Sequence, residues 1–173
     1  MRLVLASCAV VFLSCPARAA DIPLAAPKGW KSEKQAKATI LTPGDVADGK
    51  FYAVMVTPTE GKAGGLDELL DDARKMAAEI GTFKAAMEPR QSKSDGGWDY
   101  KFVLGTLETK DRALVAQLMS VKKGDDGGVV VVLSESTETM GHYADAFATM
   151  VRAMGAPAPA PAPAEAGVVD LQY

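Results

Sequence analysis

His142 is the single histidine of the chain, and imidazole is the side chain best suited to general-base work or metal ligation near neutral pH. It stands at the margin of an apolar helical pattern, with no second histidine or nearby cysteine to complete a ligand set. An imidazole so isolated is expected on a solvent-facing helix surface. The acidic pairs Asp71-Asp72 and Asp125-Asp126 have the residue type for calcium. A calcium loop, however, needs oxygen ligands at alternating positions around a glycine turn, closed by a distal bidentate acid. Asp125-Asp126-Gly127-Gly128 has turn residues without that alternation and is expected to form a hairpin turn. Asp71 and Asp72 belong on the polar side of a helix. Gly61-Lys62 has the ending of a phosphate loop, but Val56 stands where the first glycine belongs and Ala63 where a Ser or Thr is required. Ser92-Lys93-Ser94 is a serine/lysine pair in a polar, turn-like stretch, and no Gly-x-Ser-x-Gly elbow occurs. The expectation is a non-enzyme with no catalytic, cofactor-binding or metal-ligating residue.

The two cysteines, Cys8 and Cys15, lie inside a leader. Arg2 gives it a positive start, residues 3–13 an apolar run too short to span a bilayer, and Ala17-Arg18-Ala19 a small-x-small cleavage site. Residues 1–20 therefore read as a secretory signal peptide, and the expected location is periplasmic or secreted. Phe12-Leu13-Ser14-Cys15 has lipoprotein-like spacing with an unsuitable first residue, so membrane contact is expected only if Cys15 is lipidated. Cleavage leaves a chain without thiols, hence without disulfides or a thiolate nucleophile. The precursor carries 19 basic and 22 acidic residues; loss of Arg2 and Arg18 leaves 17 basic against 22 acidic, a net charge of −5. Interspersed charge of that sign excludes a phosphate-backbone binder, so no nucleic acid partner is expected.

The elements available to position any site follow from two periods. Leu66, Leu69, Leu70, Ala73, Met76, Ala77 and Ile80 fall on one helical face, with Gly81 as the stop. Met140, Tyr143, Phe147, Met150, Val151 and Met154 mark a second helix, capped by Thr137 or Thr139 and ended by Gly155. Trp98, Tyr100, Phe102 and Leu104 alternate with more polar neighbours, as in a half-buried strand. Residues 112–121 and 129–133 are further strands, and a weaker one lies near residues 83–90. A hairpin of residues 38–41 and 51–57 extends the sheet. The fold class is α+β: an antiparallel meander with one apolar face, covered by two amphipathic helices. The expected core is Trp98, Tyr100, Phe102, Leu104, Leu114, Leu118, Val130 and Val132 against the helix stripes. Its methionines are expected to fill that core, although thioethers also suit adaptable binding surfaces.

The domain organisation is a leader at 1–20, an α+β domain at 21–155, an Ala/Pro-rich linker at 156–166 and a short apolar tail at 167–173. Alternating proline removes backbone donors and favours extended polyproline II, so the linker cannot join a core. Leu171 and Tyr173 in the tail are candidate partner contacts, against the plainer reading of a frayed terminus. Trp30, after Pro27 and Gly29 in a loop-like approach, is a third, against packing over the sheet edge.

Pro27-Lys28-Gly29-Trp30, the hairpin, the helix at 66–80, the meander and the closing helix with Tyr143-Ala144-Asp145-Ala146-Phe147 follow a familiar order. Over residues 22–154 the chain resembles the PsbP-like superfamily and, within it, the bacterial DcrB-like envelope proteins. Many of these carry a serine near the end of the closing helix, where this chain has Ala153. The resemblance implies an α/β/α sandwich that binds other proteins or assists envelope assembly, and it supplies no catalytic constellation. The functional expectation is an exported, non-enzymatic binding or assembly-accessory domain of the envelope, partnered by an envelope protein. The alternative is a small carrier holding an apolar ligand between helix and sheet. Export gives the first test: the intact mass of native protein should match a chain beginning at Ala20 or Asp21. The full precursor mass, or an acylated Cys15, would contradict it.

Overall fold

A computed structural model describes residues 21–157. The leader with Cys8 and Cys15, the linker beyond Pro157, and Leu171 and Tyr173 lie outside the described residues. The elements run β1 (Trp30–Gln35), β2 (Ala38–Pro43), β3 (Tyr52–Pro58), α1 (Leu66–Ile80), β4 (Thr82–Ala85), β5 (Arg90–Lys93), β6 (Asp99–Glu108), β7 (Ala113–Lys123), β8 (Asp126–Ser134) and α2 (Thr137–Arg152). The strands form one antiparallel sheet in the order β1-β2-β3-β8-β7-β6-β4, with β5 also paired to β6.

The expected α+β class is the observed one, and the layering is the α/β/α sandwich that the resemblance implies rather than a sheet with a single apolar face. The sheet has two apolar faces, and each helix covers its own. Val129 and Val131 of β8, with Leu114, Ala116 and Leu118 of β7, pack with Leu69, Leu70 and Ala73 of α1. Val130 and Val132, with Met119 and Val121, pack with Phe147, Met150 and Val151 of α2. Successive strand residues point to opposite faces, so the uninterrupted apolar run of β8 demands a cover on both sides. Leu114 and Leu118 thus belong beneath α1, while Trp98, Val130 and Val132 belong beneath α2.

Other differences are local. The single strand near 83–90 is two, β4 and β5, which pair with successive halves of β6. Pro89 lacks the N–H that a continuous ladder needs between them. Gly127 and Gly128 are strand residues; the hairpin turn is Gly124-Asp125. A Cβ on Gly127 would stand 2.7 Å from that of Ala63, and one on Gly128 2.3 Å from the Thr57 carbonyl, so close packing requires both glycines. Ser136 caps α2, its Oγ accepting from the Thr139 N–H at 3.1 Å; Thr137 and Thr139 lie within the helix. Trp30 opens an edge strand, β1, that is exposed along almost its whole length. Its Lys-Ser-Glu-Lys-Gln continuation has no apolar alternation, and charge there protects an open sheet edge.

The C-terminal end of α2 is latched to the sheet. The Asp95 N–H donates to the Arg152 carbonyl and the Ser94 Oγ to that of Met154, both at 2.8 Å. Gly155 takes φ +70°, a left-handed conformation that favours glycine, and a Cβ there would meet the Trp98 indole at 2.6 Å. Phe147 is 6% exposed in this layer. Phe147→Ala should cost about 3–5 kcal/mol through lost burial and a residual cavity. An unchanged thermal midpoint would show that α2 is not packed on the sheet in this way.

Candidate functional site

α2 lies over β8 and the adjoining strands and leaves the β6 side of its face open. One flank, with Asp145, Thr149 and Ala153, lies beside the N-terminal segment at Ala25 and Pro27. The other flank presents Gly141, Ala144 and Ala148, at spacings of three and four residues, toward β6 and β7. Small residues along that flank leave a groove of about 410 Å³ between helix and sheet.

Tyr100, Phe102 and Leu104 of β6, with Gln117 and Met119 of β7, make its floor. Met140, Phe147 and Val151 form the helical wall. The Tyr100 and Phe102 rings lie 6.4 Å apart at 33°. Tyr100, Phe102 and Leu104 were expected in the closed core. They are instead half-buried floor, because α2 is centred away from their strand. Arg152 is the one charged residue in the lining, which contains no carboxylate. The site is thus apolar and aromatic, with a cation at the latched end of the helix.

Glu135 fixes the opposite end. Its carboxylate accepts from the Phe51 N–H at 2.6 Å and from the Thr139 hydroxyl, joining the β8–α2 corner to the start of β3. Burial pushes this carboxyl up, but the bonds from Thr139, Phe51 and Ser136 outweigh it and hold it below the usual carboxylate range.

The remaining candidate residues are dispersed. His142 is exposed on α2, as expected, edge-on to Tyr143 at 4.7 Å. It rims a cleft of about 400 Å³ that also holds Asp45, Lys50 and Glu138. Burial, followed by the hydrogen bond to Asp45 at 3.2 Å, raises the Tyr143 phenol, which stays protonated at neutral pH. No group of three His, Cys, Asp or Glu residues suited to a metal occurs among the described residues. Asp71 and Asp72 pair with Arg74 and Lys75, and Asp125 with Lys62. Ser94 is buried, its hydroxyl donating to Met154 and accepting from the Trp98 N–H at 3.0 Å, while Lys93 pairs with Asp99. Neither is presented as a nucleophile.

Trp30 packs edge-on against Tyr52 and Tyr143, with ring centroids 5.7 and 6.0 Å away. Tyr52 connects this aromatic cluster to the groove, which it also lines. Sequence reasoning named the floor and wall residues as core and missed that they border open space. The available signal was the run of small residues Gly141, Ala144 and Ala148 beside the apolar stripe of α2.

No family model matches the chain, and no curated protein does. Among solved structures, the chain is similar to LpqN of Mycobacterium tuberculosis, described as involved in cell envelope biogenesis. The TM-score is 0.51 at 12% identity, over 76% of this chain and 79% of that one. PA94 of Pseudomonas aeruginosa, a protein of unknown function, gives a TM-score of 0.46 at 11% identity, over 77% and 99% of the two chains. At such identity the likeness to LpqN is one of fold. No helix among the described residues is long and apolar enough to cross a membrane.

The bonds to Glu135 carry a pH-dependent stability. Because its carboxyl titrates lower in the folded than in the unfolded chain, the stabilisation is present above about pH 4 and lost as pH falls through the folded value. Glu135→Gln should cost about 1 kcal/mol at pH 7, allowing for its partial exposure. The gap in thermal midpoint from the native protein should narrow progressively as the pH falls below about 4. A gap independent of pH would refute the charged-acceptor role.

Proposed function

We propose that this protein is a non-enzymatic binding domain of the bacterial envelope that holds an apolar ligand in the groove between α2 and the β6–β7 strands. The groove itself carries this reading. It is concave, mostly apolar, ringed by aromatic and methionine side chains, and supplied with few polar groups, as small-molecule sites are. Other clefts among the described residues have similar volumes, 400 to 460 Å³, and this one differs from them in its apolar and aromatic lining. That lining supports a carrier over an assembly accessory docked to another envelope protein.

The envelope setting is supported by the signal-like leader, by the resemblance to DcrB-like proteins, and by the shared fold with LpqN, whose description places it in envelope biogenesis. The absence of enzymatic function is supported by what the reactive side chains already do. Ser94 latches the helix end, Lys93 is ion-paired, and in the cleft beside His142 Lys50 is paired with Glu138 while the Thr139 hydroxyl donates to Glu135.

The protein should be recovered from its native envelope without denaturant and examined by native mass spectrometry. A mass increment that organic extraction removes, and that Ala148→Trp abolishes, is the expected outcome. The bare polypeptide mass in every preparation, together with no shift of groove-residue NMR signals on adding dodecyl maltoside, would defeat the reading.

A further inference from the structure

We infer that the groove takes an amphiphile with one hydrocarbon chain and an anionic carboxylate or phosphate head, the chain lying over Phe102 and Met119 and the head between Arg152 and Arg90. This rests on the groove reading above and adds the ligand's charge and orientation.

The lining contains a single charged residue, and it is a cation. Arg90 stands opposite Phe102 in the β5–β6 ladder, so both side chains project from the sheet face that carries α2. The groove floor is therefore flanked by one arginine from the outer strand and one from the last turn of the helix. Four arginines occur among the described residues. Arg74 pairs with Asp71, and Arg112 lies over the Phe51 ring at 5.3 Å. The remaining two are those beside the groove, and neither has a carboxylate within ion-pair distance among the described residues.

Arg152 is also released from one ordinary duty of a C-terminal cation. The Thr149, Val151 and Arg152 carbonyls accept from the Ala153, Met154 and Asp95 N–H groups, so the guanidinium is not needed to satisfy those three. In a chain of net charge −3, a carboxylate-free apolar groove with two uncommitted guanidinium groups is complementary to an anionic head. The planar fork of arginine matches carboxylate or phosphate through paired hydrogen bonds. At the other end of α2, Glu138 is paired with Lys50, while Glu135 has no cation partner among the described residues and disfavours the opposite orientation.

Calorimetric titration of the full processed chain, below micelle-forming concentrations, tests this with four ligands of equal chain length. These are laurate, dodecyl phosphate, dodecyl maltoside and dodecyltrimethylammonium. Laurate or dodecyl phosphate, or both, should bind about tenfold more tightly than the maltoside, with the cation weakest. Binding by one anion alone identifies the head chemistry. Combining Arg90→Gln with Arg152→Gln should remove the preference, bringing the two anions to the affinity that the same variant shows for the maltoside. Ala148→Trp, or Ala144→Phe if the first variant melts abnormally, should abolish binding of all four.

Equal affinity for the four ligands overturns the inference and leaves the groove reading standing, as does a preference that survives both arginine substitutions. No binding by any ligand, or binding indifferent to the groove-filling variants, overturns both. That holds whether the groove is then covered by a second copy or by residues 158–173.

Discussion

Burial of β7 and β8 on both faces is the constraint from which the architecture follows. A central strand whose two faces both need cover cannot sit in a two-layer domain, so one helix is required above and one below. The β3–α1–β4 connection supplies the first by crossing the sheet from one side of β8 to the far edge. The chain beyond β8 supplies the second. Residues 129–133 thus dictate a sandwich before any loop is considered.

The two covers are not equivalent, and the difference produces the site. α1 packs against β6, β7, β8 and β4 on its side of the sheet. α2 is pinned at both ends, by Glu135 at the β8 corner and by the Asp95, Ser94 and Gly155 contacts at its C-terminus. Those attachments hold it over β8 and the neighbouring β3 and β7 residues, with the N-terminal segment along one flank. Among the described residues nothing comparable fills the flank toward β6. Since a 16-residue helix is about 24 Å long, the resulting groove follows a substantial length of regular structure. Its walls are a helix and a sheet fixed by their own hydrogen bonds, so the groove is a preformed surface.

Most elements were legible because their periods are strong. The α1 limits read from the apolar stripe and from Gly81 coincide with those observed, and β6, β7 and β8 fall where alternation or apolar runs place them. β1 escaped because an edge strand in water carries little hydrophobic pattern. The helix cap was misplaced by one to three residues because Ser136, Thr137 and Thr139 are all competent caps. The glycines at 127 and 128 read as a turn because conformational freedom and close packing call for the same residue.

What the sequence determined by itself is the class of fold, the residues that avoid water, and the lack of a recognisable reactive motif. These depend on side-chain chemistry and on spacing within ten or fifteen residues. Which side of the sheet each helix covers, and how far each sits from the sheet's centre, was decided only in three dimensions. Phe102 and Met140 look like core residues in the sequence, since hydrophobicity records a preference for burial without naming what provides it. The offset of α2 leaves both half-covered, and Arg152 shares a groove with Phe102 only because residues fifty positions apart meet in the fold. That juxtaposition is a property of packing, and local sequence does not encode it.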